Sequence, residues 1–326
     1  MRHGKYGKMR IFIVGGSGFI GSNIVRQFLT KGDEVYVFVR KASNLWKLND
    51  ILQDINFVYG DLRHESSIFG ALMKIKPDVT INCSGLVAGF SVEDQKDVIQ
   101  SNFINTVNIV NACLSANVEM LISTGSAYEC GFSPNPIFKT NCNKEPIGLY
   151  GITKRAERLY IESINKKYKK QYITARLFTP FGYFDSTKRL IPYIITSLIF
   201  GQTPNIKDPN SVRDFIFIDD VAKIYYELTH KPELLGNIKT MDIGSGVPTK
   251  VSEVASILFK MFNIQYDINM YQTSSSNNYI YSKGEILLKL KNEIKLYPTP
   301  LKDALEKTKV WFEKNKFYYK INNTGD

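Results

Sequence analysis

Tyr150-Gly151-Ile152-Thr153-Lys154 sets a phenol four residues ahead of an ammonium, and on a helix positions i and i+4 share one face. An unperturbed phenol titrates near ~10 and exchanges protons poorly at neutral pH. An ammonium beside it favours the phenolate, so the pair reads as an acid–base centre. Upstream, the apolar Leu121-Ile122 runs into Ser123-Thr124-Gly125-Ser126. That puts Thr124 at the carboxyl end of a strand, where α/β sheets place their ligands. Its hydroxyl can hold a carbonyl or hydroxyl oxygen for Tyr150 in the manner of an oxyanion donor. Ser126 competes for the same role.

A second constellation lies near the start of the chain. Gly15-Gly16-Ser17-Gly18-Phe19-Ile20-Gly21 places glycines at 15, 18 and 21 between an apolar run and a helical stretch. A tight turn there lets backbone N–H groups approach a pyrophosphate, and the helix dipole favours the anion. Gly15, Gly18, Phe19 and Ile20 are the expected cofactor contacts, and an oxidised nicotinamide would join Lys154 in favouring phenolate. The next strand, Glu34–Arg40, ends in Arg40 with Lys41 and Ser43 behind it. No carboxylate stands where the ribose of NAD would accept one, and an Arg there favours a 2′-phosphate. NADP(H) is therefore the expected cofactor, with NAD(H) as the other option. Asp61, followed by Leu62, ends the third strand, placed either to reach the adenine or to cap the next turn.

The elements that position these residues alternate. Strands are expected at Arg10–Val14, Glu34–Arg40, Asn56–Tyr59, Val79–Cys83 and Met120–Ser123, with helices at Phe19–Leu29, Ser66–Ile75 and Val98–Ala116. This succession predicts an α/β fold, a Rossmann-type doubly wound parallel sheet with right-handed crossovers. A long helix Tyr150–Lys170 and a strand Tyr172–Phe178 follow. Beyond Phe178, prolines and glycines punctuate shorter elements, which suggests a smaller C-terminal α/β substrate lobe. Phe215–Ile218 and Met241–Ile243 read as strands returning to the main sheet. The expected dinucleotide-binding domain is thus 1–178 plus about 212–245, and the second lobe 179–211 and 246–326.

Composition narrows the function classes. The longest nearly apolar run, Leu190–Phe200, covers eleven residues, too short to cross a bilayer. The basic, polar opening residues carry no signal-peptide pattern, so the expectation is a cytoplasmic protein with no membrane partner. The net charge of +11 comes mostly from scattered lysines, since only ten of the 42 basic residues are arginines. Nucleic-acid readers favour Arg forks and a basic stripe, so no nucleic-acid partner is expected. Cys83, Cys113, Cys130 and Cys142 show no metal or redox spacing and read as reduced, structural residues, with no metal site.

Several motifs along the chain resemble the extended short-chain dehydrogenase/reductase family, in the branch acting on nucleotide sugars. They are the glycine loop, Gly60-Asp61-Leu62, Asn102, Ser123-Thr124, Tyr150/Lys154, the run from Arg176 to Gly182, and the run from Arg213 to Asp220. The resemblance implies NAD(P) on the first half, a sugar nucleotide on the C-terminal lobe, and a Thr124/Tyr150/Lys154 triad. It also implies hydride transfer between nicotinamide C4 and a sugar carbon. Arg213 matches the position that contacts the diphosphate, Arg189 borders the base, and Thr179 stands where the family has Asn. Nucleotide-sugar 4,6-dehydratases carry two carboxylates after the strand threonine, whereas this chain has Gly125-Ser126, so dehydration is disfavoured. The family's late Arg has no match in Gln272–Asn278. The look is closest to CDP-abequose and paratose synthase-type 4-ketoreductases. The expected function is therefore NADPH-dependent reduction of the 4-keto group of a nucleotide-activated (6-deoxy)hexose or related sugar, for the biosynthesis of surface polysaccharide sugars. The alternatives are an NAD-dependent 4-epimerase or 4-dehydrogenase, and a non-catalytic NADP sensor. The family also implies a homodimer through the helices Val98–Ala116 and Tyr150–Lys170.

Overall fold

The apolar run at Arg10–Val14 forms strand β1 and is buried from Ile11 onward, as a central parallel strand covered on both faces must be. The computed structural model describes residues 7–86, 92–133, 144–265, 279–281 and 285–320. After β1 come α1 (Phe19–Thr30), β2 (Glu34–Val39), β3 (Asn56–Tyr59), α2 (Glu65–Ile75), β4 (Val79–Asn82) and α3 (Val92–Val98). A π-helical turn, Ile99–Ile104, leads into α4 (Asn105–Ser115), β5 (Met120–Ser126), α5 (Gly148–Tyr168) and β6 (Gln171–Leu177). The chain continues with β7 (Thr179–Phe181), α6 (Leu190–Ile199), β8 (Val212–Phe217), α7 (Ile218–His230) and β9 (Thr240–Ile243). It ends with β10 (Pro248–Lys250), α8 (Val251–Met261), β11 (Tyr279–Ile280), α9 (Glu285–Ile294), α10 (Leu301–Lys314) and the short α11 (Phe317–Lys320).

The main sheet has the order β3-β2-β1-β4-β5-β6-β9, and its pairings from β3 through β6 are parallel. The order reverses direction between β1 and β4, the switch point where doubly wound sheets bind ligands. One face packs Phe12, Val14 and Leu121 against Ile68 and Leu72 of α2, Ile109 and Cys113 of α4, and Ile161 of α5. Each such side chain contributes about 1.5–3 kcal/mol by leaving water. The expected helix Val98–Ala116 is wound in two styles. Its π turn buries Asn102 completely, and π turns inside helices commonly mark functional positions.

The described residues form two compact units, one drawn from 7–131, 144–177 and 221–242, the other from 132–133, 178–220 and 243–320. The stretch expected at about 212–245 in the first domain therefore divides. Met241–Ile243 joins the main sheet as part of β9, but the strand expected at Phe215–Ile218 is β8, and β8 is the hub of the second unit's sheet. Its first half lies between antiparallel β10 and parallel β11, and its second half beside β7. The buried Asp214 explains the choice. Its carboxylate accepts the Ser245 N–H and hydroxyl and the Gly246 N–H, which ties β8 to the turn leading into β10. The apolar run from Leu190 is α6, an ordinary core helix with Ile191, Ile194 and Ile195 buried, and no described helix is long and apolar enough to cross a membrane.

The cysteine expectation needs one correction. Cys83 and Cys113 are free, but Cys130 is disulfide-bonded. Spacing rules for metal and redox motifs do not reveal such a bond, which needs only two Cβ atoms within about 4 Å.

The first unit also buries a charge network. Arg176 of β6 is fully enclosed, paired through Nε with Glu129 and at 2.7 Å with Asp242 of β9. Arg158 of α5 reaches the other Glu129 oxygen at 3.0 Å and Glu162 at 2.8 Å. Removing one member of a buried pair strands its partner's charge. Arg176→Ala should lower unfolding stability by about 3–5 kcal/mol in urea denaturation, whereas Arg63→Ala, at an exposed pair, should leave the urea midpoint nearly where it was.

Candidate active site

Close approach dictates the glycine loop. Gly15 has φ +77°, and a Cβ there would stand 2.6 Å from the backbone of Cys83 and Ser84 at the end of β4. A Cβ on Gly21 would come within 2.2 Å of the Gly15 carbonyl oxygen, so the first turn of α1 can lie flat on the loop only without one. Gly18 caps α1 in extended conformation, no side chain bonds to the cap, and the first turn holds no carboxylate. The helix N-terminus is thus left for an anion, and a dinucleotide pyrophosphate fits it. Phe19 and Ile20 are half-buried in the first turn.

The catalytic candidates stand at the same end of the same sheet. Lys154 is only 3% exposed, and its Nζ donates to the Thr124 carbonyl at 3.1 Å and to Glu157 Oε2 at 3.2 Å. Glu157 Oε1 is 3.0 Å away. Burial alone would push the ammonium's pKa down, but Glu157 and, after it, Tyr150 more than offset this, and the net shift is upward. Burial raises the Glu157 carboxyl to about 7, with Lys154 opposing the rise. The Lys154 Nζ lies 6.0 Å from the centre of the Tyr150 ring, which stands edge-on to Tyr128 at 6.1 Å. The spacing thus brings phenol and ammonium together as expected for i and i+4.

The Thr124 hydroxyl lies 2.8 Å from the Tyr225 hydroxyl and 3.4 Å from Cys83 Sγ. Burial pushes the Tyr225 phenol well up, so that hydroxyl stays protonated and can donate to Thr124. The Ser126 Oγ accepts the Tyr128 N–H at 3.3 Å, which leaves its own O–H free to donate. Gly125, between them, has no room for a side chain, since a Cβ would stand 2.7 Å from Thr174 Cγ2. Asn102, from the π turn, clamps Leu86 through N–H and C=O at 2.7 and 2.9 Å and donates to Thr153 at 3.1 Å. Glu157, Tyr225 and Cys83 were not singled out as site residues from the sequence. Only Glu157, one turn beyond Lys154 on the same helix, carried a readable signal.

The remaining expected contacts are spread over both units. Arg40 is exposed, its backbone N–H bonded to Ser43 Oγ. The Asp61 carboxylate accepts the Arg63 backbone N–H and guanidinium, and that side-chain bond holds its pKa at about 2. This is the turn-capping role that competed with adenine contact. Leu62 packs on the core and its carbonyl accepts from Asn108. In the second unit Thr179 pairs in register with Phe215, and Arg189 donates to the Pro180 carbonyl at 2.7 Å. The Arg213 guanidinium lies 5.5 Å from the Phe132 ring and donates to the Val212 carbonyl. Gln272–Asn278, where the late Arg had no match, and Cys142 lie outside the described residues.

Comparison with known proteins gives a family and a fold. Residues 11–244 match the NAD dependent epimerase/dehydratase family. A UDP-glucose 4-epimerase of Mycoplasma genitalium is 26% identical over 279 residues, 78% of this chain and 82% of that protein. A dTDP-glucose 4,6-dehydratase of Bacillus anthracis, solved with NAD, superposes with a TM-score of 0.82 at 20% identity, over 95% of this chain and 98% of that one. A UDP-glucose 4-epimerase of Thermus thermophilus, also solved with NAD, gives 0.79 at 20% identity, over 93% and 99%. At these identities the structural likeness speaks to the fold.

The Glu157 carboxyl makes stability depend on pH. Its pKa rises from 4.5 unfolded to about 7 folded, so the native state holds the proton more tightly. The associated penalty is absent below the lower value and grows as pH rises toward the upper one. Between about pH 5 and about pH 7 the protein should lose stability through this group, and Glu157→Gln, which has no such proton, should flatten that part of the profile. Urea midpoints at both pH values check it, and an unchanged slope in the variant contradicts it.

Proposed function

Because the chain belongs to the NAD dependent epimerase/dehydratase family, we propose that it inverts the C4 hydroxyl of a nucleotide-activated hexose, using a nicotinamide dinucleotide that it keeps bound. The observation that carries this reading is the continuity of the site. The Gly15 turn lies against Cys83-Ser84, and the next residue, Gly85, lies against Lys154, whose Nζ is 3.3 Å from where its Cβ would be. The anion loop and the acid–base pair are therefore joined through a single tripeptide.

Gly15, Gly18, Phe19 and Ile20 would hold the pyrophosphate, with Lys154 toward the nicotinamide ribose. The bound dinucleotide supplies a hydride acceptor that can return what it takes. The Tyr150 phenol oxygen takes the proton of the sugar 4-hydroxyl and later gives it back. Lys154, with its Nζ 6.0 Å from the centre of that ring, supplies the positive charge beside it. Thr124, steadied by Tyr225, supplies a hydroxyl at the strand end. Arg213 is the reading's candidate for the diphosphate, with Arg189 and Thr179 for the nucleotide.

Two neighbouring reactions fit less well. Dehydration needs an acid and a base after Thr124, and the packing of Gly125 on Thr174 leaves no space for a carboxylate there. Net reduction by NADPH rested on Arg40, which is exposed at its strand end, while similar proteins of known name include UDP-glucose 4-epimerases. The likeness to abequose-type ketoreductases is not supported by these relatives.

Denaturing the purified protein should release close to one NAD per chain, and the native protein should interconvert a UDP-hexose and its C4 epimer without added cofactor. Tyr150→Phe should keep the NAD and lose about 10²–10⁴-fold in kcat. A protein that releases no dinucleotide and turns over only with added NADPH contradicts the reading.

A further inference from the structure

Glu157 has no part in the chemistry derived so far, yet it is buried to 2% exposure beside the ammonium on which that chemistry depends. Both of its oxygens lie within 3.2 Å of Lys154 Nζ. An ammonium has three donors, and the Thr124 carbonyl and the Glu157 carboxylate engage it from two sides. On a third side stands Gly85, which has no side chain to meet it. We propose that Glu157 is a positioning residue that pins Lys154 against the Thr124 carbonyl and, by gaining or losing its own proton, sets how much of the ammonium's charge acts on Tyr150. The proposal rests on the acid–base role assigned to Tyr150 above.

The surroundings support such a balance. Around the pair stand Tyr150 on the same helix, Cys83 from the end of β4, Thr106 of α4, and Glu129 from the one-turn helix Ala127–Cys130. Glu129 is a second buried carboxylate, already paired with Arg158 and Arg176, and it disfavours the Glu157 anion while Lys154 favours it. Ionised, Glu157 cancels much of the field Lys154 puts on the phenol. Neutral, it still accepts the ammonium's hydrogen bond and leaves the charge uncancelled.

The experiment follows the phenolate absorbance of Tyr150 across pH, taken as the difference between the full-length protein and its Tyr150→Phe variant. Repeating it with Glu157→Gln removes the negative charge and keeps an acceptor. The absorbance midpoint should move to lower pH by about one unit, roughly a tenfold gain in phenolate on the acid side. The acid limb of kcat/KM should move with it. If Glu157→Gln does not fold, Glu157→Asp, which weakens the pair by shortening the reach, should move the midpoint the same way by less. A residue that only stabilises the fold would lower the urea midpoint and leave the absorbance midpoint where it was, and that result in a folded variant overturns the proposal. A wild-type protein with neither dinucleotide nor epimerase activity would sink the proposed function, while the absorbance still decides the part played by Glu157.

Discussion

The constraint that orders this site is the burial of one ammonium. Lys154 sits where water does not reach it, and an isolated charge in such a place would lose its proton rather than stay. Its charge survives because a strand-end carbonyl and a carboxylate one turn along its helix are both within hydrogen-bonding distance. The end of β5 and the face of α5 must therefore hold their relative positions closely. The burial of the helix face bearing Thr153, Glu157 and Ile161, and the clamp that Asn102 makes on Thr153, serve that requirement.

The sheet supplies the rest. The order 3-2-1-4-5-6 brings the carboxyl ends of β1, β4 and β5 side by side, and one residue type at each end completes the arrangement. At β1 a glycine lets the turn touch the next strand's exit, at β4 a second glycine faces the ammonium, and in β5 a third packs flush against Thr174. At the first and third a methyl group would collide and at the second it would crowd the ammonium, so the chemistry available to the site is fixed as much by missing side chains as by those present.

These features differ in how plainly the sequence displayed them. The glycine triplet and the Tyr150/Lys154 spacing were legible because their reasons are local, a turn too tight for Cβ and a helix repeat. The parallel order of β1 through β6 was legible from the alternation of strands and helices. What was hidden depended on distant partners. Thr124 meets Tyr225 across 101 residues, and no pattern near either residue announces it. A short apolar strand such as Phe215–Phe217 looks the same whichever sheet it joins, and the choice was made by Asp214 finding donors at Ser245 and Gly246. Glu157 stood in view one helical turn from Lys154, but only packing could say that this turn faces inward.

The chemistry follows from a closed cycle. If the cofactor stays bound and the phenol returns the proton it takes, hydrogen removed from C4 goes back to C4 on the other face. The most direct measurement supplies a UDP-hexose carrying deuterium at C4, together with an excess of unlabelled NAD(H) and NADP(H) in solution. The account predicts an epimerised product that retains the deuterium at C4, with none in the free dinucleotides. Deuterium accumulating in the free pool, or a 4-keto sugar accumulating in place of the epimer, would contradict it.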